Sequence, residues 1–193
     1  MSNKSPKLLY TRDEMLRMNI EVLKSRGVSV DDISAITYAQ QSRYTKDISK
    51  QLCEQSVLKV LSYRDTFHFV QLAAEIDRLA EEKAFRNPIQ DIIYNDLGLF
   101  GIDETLGLDL AGLYGTIGQT NFGDIDVNKV GVIKKLDFLG KQEGHVQTFL
   151  DDIVGAIAAA ASTRVAQVIN EEMAAEDLGI KKLSIFDFED DLQ

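Results

Sequence analysis

Tryptophan is absent from this 193-residue chain, and proline (Pro6, Pro88), histidine (His68, His145) and cysteine (Cys53) are scarce. A lone cysteine rules out an internal disulfide and fits a reducing compartment. With His68 set between Phe67 and Phe69 and His145 far along the chain, no histidine-built metal centre is expected. No zinc-ligand spacing, EF-hand loop or Walker loop occurs. The longest apolar run without a charge, Ile153 to Thr163, is closed by Asp152 and Arg164. It falls well short of the ~20 residues a membrane span requires. No basic start followed by an apolar run marks a signal peptide. A basic surface is also missing. The chain carries 31 acidic against 21 basic residues, a formal net charge of −10. Such a chain repels nucleic-acid phosphates, so nucleic acid is not an expected partner. A cytoplasmic protein with a true core is the expectation.

What the chain does have is Ala, Leu, Glu, Gln and Lys, residues that favour helices. Thr11 and Glu14 form a capping-box pattern, opening a helix with Met15, Met18, Val22 and Leu23 on one face and an end at Gly27. Ser29 to Asp32 start a second helix, which carries Ile33 and Ile36. A third places Leu52, Cys53, Val57, Val60 and Leu61 on one stripe. A fourth spans about Asp65 to Ala84, burying Phe69, Ala73, Ile76 and Ala80 with its charges toward solvent. Asn87-Pro88 breaks the pattern, and a short helix follows near Ile89 to Leu97.

Residues 98–144 are rich in glycine, which suits tight contacts and ligand-facing turns; GTIGQTNFG within them reads as a turn and packing segment. From about His145 to Met173 one long helix is expected, apolar or small almost all round at its centre. The expected architecture is an all-α, single-domain helical bundle over residues 1–173. A central small-residue helix is ringed by about five others, and an acidic tail follows at 174–193. The apolar stripes would serve a single core or a homo-oligomer equally well.

Asp151 and Asp152 stand on that otherwise apolar helix. Two adjacent buried carboxylates repel and need a compensating positive charge: a metal, a lysine, or the positive end of the helix. The plainer reading, that they merely sit at the helix start, remains open. Further carboxylates occur at Asp103 and Glu104, at Asp124 and Asp126, and at Asp137. Asp103 alone reads as an N-cap, and Asp124 and Asp126 as a solvated turn. Together they offer the hard oxygen ligands that Mg²⁺ prefers, and Lys129 and Lys134 become candidates for phosphate oxygens.

These residues carry a resemblance. IDVNKVGVIKKLD, residues 125–137, resembles the Ile/Leu-Asp-x-x-Lys-Pro-x-Pro-Ile-x-x-x-Asp segment of the phosphatidylglycerophosphatase A family, keeping Asp126, Lys129, Ile133 and Asp137 in register. Val130 and Val132 replace its two prolines. FLDDIVGAIAAA resembles the family's Asp-Asp-x-x-Ala-Gly helix through Asp151 and Asp152. IDETLGL resembles its Asp-Glu-x-x-Gly segment through Asp103, Glu104 and Gly107. The similarity is closest to the soluble branch of Gram-positive bacteria, low-temperature-requirement-like helical proteins.

The resemblance implies a Mg²⁺-dependent phosphatase converting phosphatidylglycerophosphate to phosphatidylglycerol. Asp103, Glu104, Asp126, Asp137, Asp151 and Asp152 would hold the metal; Asp151, Asp152 and Asp137 would be the catalytic candidates. Lys129 and Lys134 would hold the phosphate. A phosphorylated lipid headgroup would then be the ligand, met by contact with the inner membrane face. The alternatives are a phosphatase for soluble monoesters and a non-catalytic helical interaction or cold-stress protein.

Overall fold

The computed structural model describes residues 10–46, 48–98 and 100–177. Most of the acidic tail expected at 174–193 lies outside the described residues. Within them, all regular structure is helical. In chain order the elements are α1 (Arg12–Ser25), α2 (Val30–Gln41), α3 (Lys50–Leu61), α4 (Arg64–Glu81), α5 (Ile89–Tyr94) and α6 (Ile102–Ala111). A 3₁₀ turn (Gly112–Tyr114) leads into α7 (Gly115–Asn128), α8 (Val132–Gly140) and α9 (Leu150–Asp177).

The helix starts follow from local chemistry. The Thr11 hydroxyl accepts from the Glu14 amide and the Glu14 carboxylate accepts from the Thr11 amide at 2.7 Å. Ser29 and Asp32 repeat this reciprocal cap at α2. Each pair satisfies amides that no helical carbonyl can reach.

α9 is the axis of the bundle and packs against α2, α3, α4, α6, α7 and α8. Ala156 and Ala158 to Ala161 are fully buried, so neighbouring backbones come close to it. Buried polar contacts fix the packing: Gln41 donates to Ser162 at 2.9 Å and Asn121 to Thr163 at 3.1 Å. By length and composition Leu150–Ala174 is apolar enough to cross a membrane, yet 72% of that apolar window is buried inside the fold. Its apolarity serves a protein core.

Three features differ from the sequence reading. GTIGQTNFG is helical, the first part of α7, and Asp124 and Asp126 stand on that helix rather than in a turn. Packing overrides glycine's poor helix propensity here. A Cβ on Gly118 would lie 2.1 Å from the Ala111 carbonyl oxygen, and one on Gly107 would lie 2.4 Å from the Phe122 ring. The glycines are what let α6 and α7 touch. Second, α4 does not turn every charge outward. Phe67, Val70, Ala73 and Asp77 form its buried stripe, while Phe69 and Ile76 are half-buried. Third, the long helix starts at Leu150, preceded by an irregular strap over residues 145–149.

Candidate metal-binding and catalytic site

The strap sets the position of the first turn of α9. Asp77, wholly buried on α4, accepts from the Phe149 amide at 3.1 Å and the Leu150 amide at 2.9 Å. Glu81, one turn on, accepts from the Val146 amide at 2.9 Å and from both Nη atoms of Arg26. The Thr148 hydroxyl donates to the Ile93 carbonyl at 2.7 Å. The helix start is therefore tied to α1, α4 and α5, and Asp151 and Asp152 occupy its first turn, buried.

Four other segments converge on that turn. Asp103 lies buried in the first turn of α6, whose N-cap is Gly101, so it is not the cap that its sequence position suggested. Asp103, Glu104 and Asp152 each offer a carboxylate oxygen within 4.8 Å of the other two. Lys129, the C-cap of α7, reaches Asp126 at 2.7 Å, Asp151 at 3.1 Å and Asp152 at 3.6 Å. Asp137 on α8 pairs with Lys141 at 2.8 Å and shares with Asp96, Asp151, Gln147 and Thr148 the lining of a cleft of about 430 Å³.

Lys129 and Asp96 both adopt positive φ, 42° and 44°. Such backbone costs a side-chain-bearing residue of order 1 kcal/mol. Two of the strained positions thus flank the acidic group.

The electrostatics match the crowding. Burial raises the Asp152 carboxyl well above the usual range, and Asp151, Asp126 and Asp103 add to the rise against the pull of Lys129. Burial raises Asp103 as well, with Glu104 second. Asp151 is raised by burial, though Lys129 holds it down. Asp96 is raised by burial and by the charges of Glu104 and Asp137. Lys129 is partly desolvated, but Asp151, Asp126 and Asp152 outweigh this and raise its pKa. A group of carboxylates that resist ionisation together is what a divalent cation relieves.

The sequence-derived candidates sort clearly. Asp103, Glu104 and Asp152 come together, and Lys129 joins Asp126, Asp151 and Asp152. Asp137 lines the neighbouring cleft, paired to Lys141. Asp124 instead forms an ion pair with Arg43. Lys134 is exposed on α8. Sequence reasoning missed Asp96 and Asp77. Asp77 falls four residues after Ala73 on a buried stripe, a periodic position that marks a charge out of place. Asp96, at the end of a short helix, carries no comparable signal.

All hard-oxygen donors, no histidine or thiol, and a lysine among them form a donor set that suits Mg²⁺ and a phosphate-bearing ligand. Fold and site together define an all-helical protein with a lysine-bridged acidic pocket at the head of its central helix. The chain belongs to the phosphatidylglycerophosphatase A family, whose sequence profile matches residues 32–167. It is 39% identical over 171 residues to the uncharacterized protein YpjQ of Bacillus subtilis, covering 87% of this chain and 95% of that protein. The uncharacterized YutG of the same organism is 42% identical over 144 residues, 75% of this chain and 86% of that protein. Among solved structures, B. subtilis YpjQ superposes with a TM-score of 0.78 at 40% identity, covering 83% of this chain and 98% of that one. The low temperature requirement C protein of Listeria monocytogenes gives 0.79 at 38%, covering 83% and 99%.

Proposed function

We propose that the chain is a Mg²⁺-dependent phosphatase that hydrolyses a phosphate monoester, phosphatidylglycerophosphate, to phosphatidylglycerol and inorganic phosphate. The observation that carries this reading is the convergence of Asp103, Glu104 and Asp152 within 4.8 Å, next to Lys129. In this reading Asp103, Glu104, Asp126, Asp137, Asp151 and Asp152 hold the cation, directly or through water. When bound, Mg²⁺ would neutralise charge developing on the phosphoryl oxygens.

The chain's own residues do the rest. Lys129 contacts non-bridging oxygens at the floor, exchanging part of its carboxylate pairing for phosphate. Lys134, exposed on α8, meets the headgroup from outside. One of Asp137, Asp151 and Asp152 takes a proton from the attacking water as the water oxygen bonds to phosphorus. The phosphorus–ester oxygen bond breaks, and the leaving glycerol oxygen receives that proton. If one of them attacks phosphorus instead, the leaving glycerol oxygen takes its proton from water. A second water then cleaves the aspartyl phosphate to release inorganic phosphate and restore the carboxylate. The strap pinned by Asp77 and Glu81 holds Asp151 and Asp152 in place while this occurs.

The test is phosphate release from phosphatidylglycerophosphate in mixed micelles, with Mg²⁺ and with excess chelator. The reading expects release that needs Mg²⁺ and is lost in Asp152→Asn while the helical spectrum stays unchanged. Undiminished turnover in that variant would remove Asp152 from the site. No release from any phosphate monoester would overturn the reading.

A further inference from the structure

We infer that the outward face of α8 is a docking surface for the headgroup layer of an anionic phospholipid bilayer. The inference takes its choice of partner from the lipid-phosphatase reading, but Phe138 and Lys135, which carry it, lie outside the acidic pocket. α8 buries Val132, Ile133 and Leu136 and packs against α9. Opposite that buried stripe stands Phe138, 66% exposed. It lies one turn from Lys134 and Lys135, both exposed, and next along the chain's outward side is Lys141, also exposed. Asp137 is the acid nearest in sequence, and Lys141 pairs with it. Lys135 feels Asp32 of α2 as a neighbouring charge, and Asp32 is already held in the Ser29 cap.

A large aromatic left in water among lysines is costly for a soluble surface and suited to a bilayer interface. There the ring enters the headgroup region, while the lysine stems lie along it and their ammonium groups meet lipid phosphates. The surroundings agree. Four more exposed apolar side chains are chain neighbours of residues of the acidic pocket and its lysine: Leu97 beside Asp96, Ile102 beside Asp103, and Val127 and Val130 beside Asp126 and Lys129. Val127 is 82% exposed.

A second copy of this chain is a poorer occupant. A two-fold contact through α8 would bring two copies of this lysine-bearing face together and take its charges out of water. The sequence shows no basic stripe in a chain of net charge −10, but the fold sets Lys134 and Lys135 one turn from Phe138, a locally positive face that favours a negative partner, while Lys141 is paired to Asp137.

The experiment is co-sedimentation of the full chain with vesicles of phosphatidylcholine, with and without phosphatidylserine. Phosphatidylserine is neither the proposed substrate nor its product, and the unchanged pocket of Phe138→Ser serves as the control for headgroup binding there. Binding should require the anionic lipid. Phe138→Ser should weaken it about tenfold or more, and Lys135→Gln about fivefold. Phe138→Leu should largely keep it, and Ile117→Ser, at the far end of α7, should not change it. Turnover of a soluble monoester by Phe138→Ser should equal wild type, which separates a docking defect from a damaged pocket. Equal binding by Phe138→Ser and wild type, or binding indifferent to lipid charge, would overturn the inference. So would a wild-type dimer that Phe138→Ser turns into a monomer. Because the assay needs no turnover, a chain that binds but hydrolyses nothing fails the phosphatase reading alone.

Discussion

The ammonium group of Lys129 lies 3.1 Å from Oδ2 of Asp151, and the same group lies 2.7 Å from Asp126. One cation at the end of α7 thereby binds the first turn of α9, across residues 22 positions apart. Its removal leaves crowded carboxylates without that counter-ion. Lys129→Met should lower the stability of the metal-free protein by about 1–3 kcal/mol. Added Mg²⁺ should raise the stability of the variant more than that of wild type. Denaturant unfolding in chelator and in Mg²⁺ checks both; equal stability without metal would deny the lysine this role.

The raised carboxyls set a pH dependence. Burial pushes Asp77 up to about 8, against the pull of the Phe149 and Leu150 amides and of Arg26, and raises Asp103, Asp151 and Asp152 as well. Unfolded, these groups titrate near pH 4, so from about pH 4 to pH 8 the native state binds more protons than the unfolded chain. Stability of the metal-free protein should therefore fall as pH rises through this window. Glu14, Asp32, Glu75 and Glu81, whose pKa values are lowered, act with the opposite sign and below it. Thermal unfolding in chelator from pH 5 to pH 8 should show a decreasing Tm, with a shallower slope in Asp152→Asn. Mg²⁺ should oppose the fall, since cation binding displaces protons. A Tm that rises over this range would contradict the assignment.

Asp77 holds the start of α9 without lying in the pocket. Asp77→Ala strands the buried amides of Phe149 and Leu150, at a cost of about 2–4 kcal/mol. Mg²⁺-dependent activity should fall with it even under conditions where the variant is fully folded, because Asp151 and Asp152 lose their anchor. Calorimetric unfolding paired with Mg²⁺ titration separates the two effects. Wild-type Mg²⁺ affinity in a folded Asp77→Ala would show that the strap is dispensable.

Gly118→Ala tests the close approach of α7 to the end of α6. A methyl group there meets the Ala111 carbonyl oxygen at 2.1 Å, and backbone has little room to yield. The expected loss is about 1–3 kcal/mol or more, measured as a lowered denaturant midpoint at unchanged slope. Gly123→Ala on the same helix, with nothing within 4 Å, should instead be neutral or mildly stabilising.

The caps at Thr11 and Ser29, the stripes of α2 and α3, and the small-residue core helix were legible in the sequence. Each of these is a local matter, written in hydrogen bonds three residues apart or in helical periodicity. The pairing of Asp126 with Lys129 depends on Lys129 ending α7 in a left-handed conformation, which spacing alone does not show. Tertiary structure decided the rest. Only contacts across 72 and 73 positions of chain reveal that Asp77 caps α9. Only the packing of Gly107 on Phe122 and Gly118 on Ala111 makes a glycine-rich stretch helical against its propensity. Asp96 joins the pocket, and Asp124 leaves it for Arg43, because burial and distance between helices assign a carboxylate its neighbours. Sequence spacing carries that information within one helix and loses it between helices.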